Sequence, residues 1–280
     1  MNWGPWAESA AVLALAGIGV LIGLRFSRLP KPYWIIGYLL PLVVIFVYGA
    51  AMKFHTLGLI PPISWIIGGR TKFAIIGLLT TMVLTTPLSR LRSEPVKVQV
   101  WILMVLATLK LSVWPFLAPA FNREQLSQLQ TRLDANGICR QNTDFTCGPA
   151  SAVTALRKMG LPADEGEIAI STHCSSAIGT PPDMLARMLQ IRYGNQGLSS
   201  EYRVFHCVEE LNRPGYTLAV TKYQAWVDHY VVVIEVTNNQ VVVGDPLLGL
   251  RTISQPDFEK MWRFEGVTLA RALPSMSRQP

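Results

Sequence analysis

The sequence predicts an α-helical membrane region of about four transmembrane helices, followed by an α+β domain with an antiparallel sheet. Fifty per cent of the 280 residues are hydrophobic and only 15% are charged, which is wrong for a wholly soluble chain. Before Asn122 there are ten basic and two acidic residues, so the positive net charge belongs to the apolar N-terminal part. After Asn122, amphipathic helical segments come first and short apolar strands follow.

Four apolar stretches before residue 122 are long enough to cross a bilayer. Pro61-Pro62 and Arg70 interrupt the third stretch, and Lys110 lies inside the fourth, where one lysine costs roughly 2.5–3.5 kcal/mol on insertion. The first stretch has no basic residue before it, which favours a signal anchor over a cleaved signal peptide. Residues 1–121 are therefore predicted to form a transmembrane region with spans near 9–26, 33–51, 73–88 and 98–118.

The distribution of basic residues predicts which side of the membrane each loop occupies. The second loop has three basic residues, and so weakens the contrast, but the N-terminal tail has none. We therefore expect an integral protein of the bacterial inner membrane, with the lipid bilayer as partner and the C-terminal domain facing outward. Basic residues that flank apolar runs, rather than share one folded face, argue against a nucleic-acid partner. The residues that place the first and third loops in the cytoplasm are Arg25, Arg28, Lys31, Arg90, Arg92 and Lys97.

The C-terminal half begins with predicted helices. Residues 122–137 are polar and are predicted to be a helical spacer that leaves the membrane. Apolar residues at helical spacing predict helices over Gly148–Met159 and Pro162–Ile170. Thr180 is the expected N-cap of a third helix, which leads into Met184–Ile191.

The pattern then changes to strands, with Asn238-Asn239 as a hairpin turn between the third and the fourth. A short helix near Pro256–Trp262 and a last strand over Gly266–Ala270 close the domain. The first four predicted strands are Tyr202–Phe205, Tyr216–Thr221, Tyr230–Val236 and Gln240–Val243.

Cys147 is the residue around which a chemical site is predicted, because it directly precedes the helix expected to start at Gly148. Backbone N–H groups at a helix start, together with a nearby imidazolium, favour the nucleophilic thiolate. Gly148 lets a substrate approach closely, and Pro149 fits the first helical turn. The alternative interpretation is a small buried cysteine with no chemical role.

His229 and Asp245 are the predicted partners of Cys147. His229 enters a buried strand and Asp245 ends the next one, so pairing of the two strands brings the imidazole and the carboxylate together. Asp245 would then fix the tautomer of His229 and stabilise its protonated form. Asp228 is the rival carboxylate and ranks second, because adjacent strand positions point to opposite faces. A histidine that only packs and an aspartate that only turns the chain are the simpler alternatives.

Gln141 is the candidate oxyanion donor, through its side-chain NH2 and together with the backbone N–H of Cys147. It lies six residues before the cysteine. Asn142 carries the same amide group, so the residues alone leave both candidates open.

Several segments of the C-terminal half form one pattern: Gln141, Cys147-Gly148-Pro149-Ala150, His229-Tyr230-Val231-Val232, Gly244-Asp245-Pro246 and the closing Pro256–Trp262. Together they resemble the papain-like cysteine peptidases that remove double-glycine leaders from bacteriocin precursors. The resemblance covers roughly 138–265 and implies a papain-like peptidase domain over 138–280. It also implies that Cys147 is the nucleophile, His229 the general base, Asp245 the orienting carboxylate and Gln141 the oxyanion donor.

The chain departs from that family in several ways. Thr146 replaces the acidic residue that often precedes the cysteine, and Asp228 stands where glycine is common before the histidine. No G-x-x-x-x-G-K-[ST] phosphate loop occurs, so an ATPase domain is not expected. An outward-facing domain would also lie across the membrane from the exporters' cytosolic peptidase. A separate export protein is therefore a partner that the resemblance leaves open.

The remaining cysteines allow two further interpretations. The adjacent pairs His173-Cys174 and His206-Cys207 match no common zinc spacing, so no metal site and no cofactor are expected. A Cys174–Cys207 disulfide is expected if the domain faces outward, with Cys139 as another possible partner of either.

The function predicted from the sequence is a membrane-anchored cysteine peptidase that cleaves a peptide or protein substrate near the membrane through an acyl-enzyme. Two alternatives use the same residues differently. One is a thiol amidase or acyltransferase, and the other is a noncatalytic domain that binds or senses a peptide. A transporter or channel is disfavoured by the small number of spans and by the lack of paired charges within them.

Overall fold

The computed structural model describes residues 5–53, 70–224 and 227–272. The chain divides into two compact units, Met1–Phe121 and Asn122–Pro280. The predicted break at Pro61-Pro62 lies outside the described residues. The described part of the first unit is helical, and the described part of the second combines helices with two antiparallel sheets.

Four helical segments of the described chain are long and apolar enough to cross a membrane, as the sequence predicts. The first is α1 (Pro5–Ser27), and a 3₁₀ turn over Tyr33–Ile35 leads into α2 (Ile36–Lys53). The third contains α3 (Thr71–Thr85). The fourth consists of α4 (Glu94–Thr108), a π-helical turn over Leu109–Val113 and α5 (Trp114–Ser127).

The fourth segment is longer than the predicted span over 98–118, since it continues through Pro115 and Pro119 to Ser127. A proline has no backbone N–H to donate to the carbonyl four residues earlier. The π turn over Leu109–Val113 widens the backbone just before Pro115, so the helix accommodates the proline instead of ending there.

Helices α1 and α3 run parallel to each other and pack closely. Glu8 lies beside Arg70 at one end, with 2.6 Å between the charged atoms, and Ser27 hydrogen-bonds Ser89 at the other. Between these ends the hydroxyl of Thr81 donates to the carbonyl of Ala16 over 2.9 Å. The buried stripe of α1 consists mostly of small residues, which lets the two backbones approach: Ser9, Val12, Ala16, Gly19, Gly23 and Ser27.

The outer surface of the first unit is apolar. Phe46 on α2 is 77% exposed and Leu106 on α4 is 60% exposed. Apolar surface of this extent on successive helix turns is typical of helices that contact lipid.

The second unit contains the helices that the sequence predicts, with shifted boundaries. They are α6 (Cys147–Lys158), α7 (Glu165–Ser171), α8 (Pro182–Tyr193) and α9 (Gln255–Met261). The predicted helical spacer over 122–137 is helical only to Ser127, because Arg132–Leu133 and Cys139–Arg140 pair as the short strands β1 and β2.

The predicted Thr180 cap is wrong. Pro181 is the N-cap of α8 and its backbone is extended, so the helix begins one residue later than a Thr180 cap would require. The carbonyl of Thr180 instead accepts a hydrogen bond from the Tyr230 hydroxyl over 2.9 Å. Asp164 caps α7, where its side chain accepts from the Glu167 N–H.

Within the described part of the second unit, the main sheet has six strands in the order β3-β8-β4-β5-β6-β7, and all neighbours are antiparallel. The predicted hairpin at Asn238-Asn239 is confirmed, since Val236 pairs with Val241 across it. The edge strand β7 lies outside the predicted strands, because its six residues mix apolar and polar side chains on both faces: Leu250 is exposed with Thr252 and Ser254, and Arg251 is half-buried with Ile253. The strands are β3 (Leu198–Val204), β4 (Tyr216–Gln224), β5 (Val227–Val236), β6 (Gln240–Asp245), β7 (Gly249–Ser254) and β8 (Trp262–Arg271).

Two cores stabilise this sheet. One contains Leu156 and other residues of α6 together with Tyr230 and Val232 of β5. The other surrounds Trp262, which is fully buried beside Phe258 of α9. Strand β5 contributes to both cores, so the backbone next to His229 is held firmly in place.

Candidate active site

Cys147 is the first residue of α6, and the loop before it is tied by local hydrogen bonds. The Gln141 side chain donates to the Thr143 carbonyl over 2.7 Å, and the Thr146 hydroxyl accepts from the Thr143 N–H over 3.2 Å. The first backbone bond of the helix runs from the Ala150 N–H to the Thr146 carbonyl over 3.0 Å. The sulfur of Cys147 therefore lies where unpaired N–H groups of the first turn point.

Gly148 has a different role from the one predicted for it. A Cβ atom at this position would lie 3.1 Å from the Thr180 Cβ and 3.4 Å from the Tyr230 ring. The space beside Gly148 is thus filled by protein atoms, rather than left open for a substrate. The close contact brings the start of α6 against β5, where the Ser151 hydroxyl also donates to the Tyr230 carbonyl over 3.1 Å.

His229 and Asp245 form a buried pair. The Nε2 atom of His229 lies 2.9 Å from Oδ1 of Asp245, and the two residues are 7% and 3% exposed. Since His229 stands near the start of β5 and Asp245 ends β6, the antiparallel pairing of these neighbouring strands creates the contact.

The pKa of His229 is raised to about 9 from its ordinary value of 6.5. Burial acts in the opposite direction, because it disfavours the charged ring. Hydrogen bonds to Asp245 and to the Cys147 side chain outweigh burial and favour the imidazolium. The ring of His229 is therefore held between the carboxylate and the thiol.

The carboxylate of Asp245 is held on all sides. Its Oδ1 also accepts from the backbone N–H groups of Leu247 and Leu248, at 2.8 and 3.3 Å, and its Oδ2 lies 3.4 Å from Arg251 Nη1. Burial raises the pKa of Asp245, but the hydrogen bonds to His229 and to Leu247 and Leu248 lower it more, so the pKa lies below its ordinary value. Asp245 is therefore ionised beside His229.

Asp228, the rival carboxylate, makes a different contact. Its Oδ1 accepts from Arg263 Nε over 2.8 Å, and its side chain is 36% exposed. The structure thus brings Asp245, rather than Asp228, into contact with His229.

The two candidate amides also differ in their surroundings. The side chain of Asn142 donates to the Gln130 carbonyl over 2.9 Å and to the fully buried carboxylate of Glu165, so both of its N–H groups are used. Gln141 donates one N–H to Thr143, and its backbone N–H reaches the Pro246 carbonyl beside Asp245 over 3.2 Å. Of the two amides, Gln141 retains a second side-chain N–H and lies next to the Asp245 turn.

Comparison with known proteins identifies this domain. The sequence matches the Peptidase C39 family over residues 136–273, a range that contains the Cys147, His229 and Asp245 arrangement. Residues 136–273 form a C39 peptidase domain.

Two relatives share sequence with the C39 domain. An uncharacterized protein of Methanothermobacter marburgensis is 26% identical over 125 residues, which are 45% of this chain and 82% of the relative. The probable functional amyloid protease FapD of Pseudomonas aeruginosa is 28% identical over 145 residues, or 50% of this chain and 62% of that protein. This chain thus spans less than two thirds of the length of the Pseudomonas relative.

Solved structures similar to the C39 domain include a double glycine motif protease from an AMS/PCAT transporter, which was crystallised with its leader peptide. Its TM-score is 0.42 at 13% identity, and the superposition covers 51% of this chain and 93% of the protease chain. The peptidase domain of Streptococcus ComA has a TM-score of 0.40 at 20% identity, with 48% and 96% covered.

The other cysteines of the C39 domain lie away from disulfide geometry. All four cysteines of the described chain are free, so the expected Cys174–Cys207 disulfide is not formed. The Cys174 thiol instead donates to the Phe145 carbonyl over 3.2 Å inside a buried cluster, while Cys207 is half-buried ahead of a 3₁₀ turn. Burial raises the pKa of both Cys139 and Cys174 to about 12.

Two residues of the C39 domain that contact the candidate site were not anticipated. Arg251 reaches Asp245 from β7, and Glu165 anchors Asn142, the neighbour of Gln141. The Glu165 contact joins segments that are 23 residues apart, and the Arg251 contact depends on the β6–β7 hairpin, which was not predicted from the sequence.

Proposed function

We propose that this chain is a membrane-anchored cysteine peptidase that hydrolyses a peptide bond in a peptide or protein substrate near the membrane. In this proposal Cys147 is the nucleophile, His229 the general base, Asp245 the orienting carboxylate and Gln141 the oxyanion donor. The observation that carries the proposal is the buried His229 ring, which hydrogen-bonds Asp245 through Nε2 and also bonds the Cys147 side chain.

The chemistry follows from the two ring nitrogens of His229. Nε2 is engaged by Asp245, so Nδ1 is the atom that exchanges a proton with the thiol. The Cys147 sulfur attacks the substrate carbonyl carbon, and the carbonyl oxygen becomes an oxyanion that the Gln141 side chain and the Cys147 N–H stabilise. The C–N bond then breaks, and the leaving amine takes the proton from His229. Water attacks the thioester, which releases the acid and restores the thiol.

The membrane anchor is supported by the four apolar helical segments and by the exposed apolar surface of α2 and α4. Because α1 and α3 are parallel, the C-terminal ends of both helices and the loops after them lie on one side of the membrane, and these parts of the chain contain Arg25, Arg28, Arg90 and Arg92. Arg70 adds little to the positive charge on the opposite side of the membrane, because Glu8 neutralises it. We infer that the basic loops are cytoplasmic and that residue 122, after four crossings, lies outside.

The substrate class is open within this proposal. A leader peptide is the ligand of the transporter protease, and a functional amyloid system is the context named for the Pseudomonas relative. Both are candidates for the outward-facing C39 domain, together with a separate export protein that would deliver the substrate.

Alkylation tests whether the site is reactive, without knowledge of the substrate. With the full chain in detergent, iodoacetamide at pH 6 should label Cys147 much faster than Cys139, Cys174 or Cys207. The His229→Ala substitution should lower the rate of Cys147 alkylation at least tenfold. The thiols of Cys139 and Cys174 are matched internal controls, because burial raises the pKa of both to about 12. Equal and slow labelling of all four would instead favour a noncatalytic peptide-binding domain.

A second experiment identifies the reaction. Membrane and secreted peptides of wild-type cells are compared with those of cells that express Cys147→Ser. New peptide ends that disappear in the variant would establish a peptidase. Amide-modified or acylated products in place of new ends would instead establish the amidase or acyltransferase.

A further inference from the structure

The carboxylate of Asp245 divides its contacts between its two oxygens. Oδ1 accepts three hydrogen bonds, from His229 Nε2 and from the N–H groups of Leu247 and Leu248. Oδ2 faces the Arg251 guanidinium at 3.4 Å. All four groups in these contacts therefore donate to the carboxylate.

Arg251 reaches this carboxylate across the β6–β7 hairpin. Asp245 is the last residue of β6 and pairs with Gly249, the first residue of β7, and Arg251 lies two positions further along. The turn between the strands is anchored from outside, because the Pro246 carbonyl accepts from the Gln141 N–H and the Leu247 carbonyl accepts from the Arg140 side chain. The backbone of Asp245 is thus fixed, and the orientation of its carboxylate depends on the groups that bond its two oxygens.

We propose that Arg251 is a positioning residue that holds Asp245 with Oδ1 on His229, and that it requires a carboxylate rather than an amide at position 245. This inference rests on the proposed function, since it concerns how the same site is oriented. Arg251 acts through Asp245 and contacts neither the thiol nor the imidazole in the hydrogen bonds of the described residues.

The requirement for a carboxylate follows from the donors around it. An asparagine at position 245 can keep its oxygen on His229, but its NH2 group then faces the Arg251 guanidinium, donor against donor. If the amide turns over, its NH2 faces the ring and two backbone N–H groups, which is worse. A donor that loses its acceptor in a buried site destabilises that arrangement. Replacing Arg251 by glutamine removes the conflict, because the glutamine oxygen accepts from the asparagine NH2.

Arg251 itself contributes modestly to holding the carboxylate. Its side chain is 39% exposed and the contact is long, so water screens much of the attraction. The single variant Arg251→Gln should therefore change the rate of Cys147 alkylation by no more than about threefold. The informative quantity is the coupling between the two positions.

A double-mutant cycle measures this coupling in the full chain, with the alkylation rate of Cys147 by iodoacetamide as the readout. Asp245→Asn should slow alkylation about thirtyfold when Arg251 is present and only about threefold in the Arg251→Gln background. This partial rescue is a result that a merely structural role of Arg251 in β7 would not produce. Arg251→Lys, which keeps a cation, should not rescue Asp245→Asn.

The matched control is the neighbouring pair Asp228 and Arg263, which are joined by a 2.8 Å contact outside the site. Asp228→Asn and Arg263→Gln, alone or combined, should leave Cys147 alkylation unchanged. Additive effects of the Asp245 and Arg251 variants, with His229→Ala still slowing alkylation, would overturn the role of Arg251 and leave the proposed function standing. Absence of any effect of His229→Ala would overturn both.

Discussion

The Nε2 atom of His229 and the Oδ1 atom of Asp245 are 2.9 Å apart, although the two residues are sixteen positions apart in the chain. The pair is buried at the end of two neighbouring antiparallel strands, while the thiol that bonds the same ring begins a helix of another part of the domain.

Asp245 and Asp228 should differ sharply in their effect on activity. Asp245→Ala removes the acceptor of the His229 ring, so we expect kcat/KM to fall at least a hundredfold on a substrate found by peptide comparison. Asp228→Ala removes only the contact with Arg263 and should stay within about threefold of wild type. Steady-state kinetics of both variants make this test, and equal losses would contradict the assignment of Asp245.

Substitutions of Gln141 and of Asn142 should also differ in their effects. If Gln141 stabilises the oxyanion, Gln141→Ala should lower kcat about 10²–10³-fold and leave KM nearly unchanged, because that charge exists only in the transition state. Asn142→Ala should mainly lower the free energy of unfolding, by roughly 1–3 kcal/mol, since it removes the side-chain hydrogen bond to the buried Glu165 carboxylate and the one to the Gln130 carbonyl. Kinetics and thermal unfolding of both variants are needed. A larger kinetic loss for Asn142→Ala would exchange the two roles.

The raised pKa of His229 makes stability depend on pH. The folded pKa of about 9 exceeds the ordinary value of 6.5, so the protonated ring stabilises the folded state fully below about pH 6.5. This contribution, on the order of 3 kcal/mol at most, is lost as the pH rises through about 9. The unfolding temperature of wild type should therefore fall between pH 6.5 and 9.5 more steeply than that of His229→Gln. Parallel curves for the two proteins would show that His229 is not stabilised in its charged form.

Packing of α1 against α3 should be sensitive to one methyl group. A Cβ atom at Gly19 would collide with the Thr81 hydroxyl and with the Leu78 carbonyl, so Gly19→Ala should lower the stability of the protein in detergent by roughly 1–3 kcal/mol. Gly17→Ala is the matched control, because among the described residues no atom beyond its own stretch of helix lies within 4 Å of the added methyl group, and it should be neutral or slightly stabilising. If both variants unfold alike, the parallel packing of α1 and α3 is wrong.

Much of the fold was predictable because it depends on local periodicity. Four apolar stretches, a helix after Cys147 and a hairpin at Asn238-Asn239 are each encoded within one continuous segment. The boundaries were less predictable. The helix through Pro115 needed a π turn, and the edge strand β7 depends on β6 for its hydrogen bonds.

The candidate site divides in the same way. The residue types and their order suggested Cys147, His229, Asp245 and Gln141, but two choices between neighbours depended on contacts. Asp228 accepts a hydrogen bond from Arg263, and the side chain of Asn142 donates one to Glu165. Neither partner is near in sequence, so no local pattern could have found it.

The sequence by itself determined the division into an apolar helical part and an α+β part, and it suggested which side chains to consider for a thiol hydrolase site. Tertiary structure decided which carboxylate faces the imidazole, which amide keeps a free N–H and that an arginine stands behind the carboxylate. The physical reason is that hydrophobic periodicity is written along one segment, whereas a hydrogen bond depends on distances that only the packed strands and helices set.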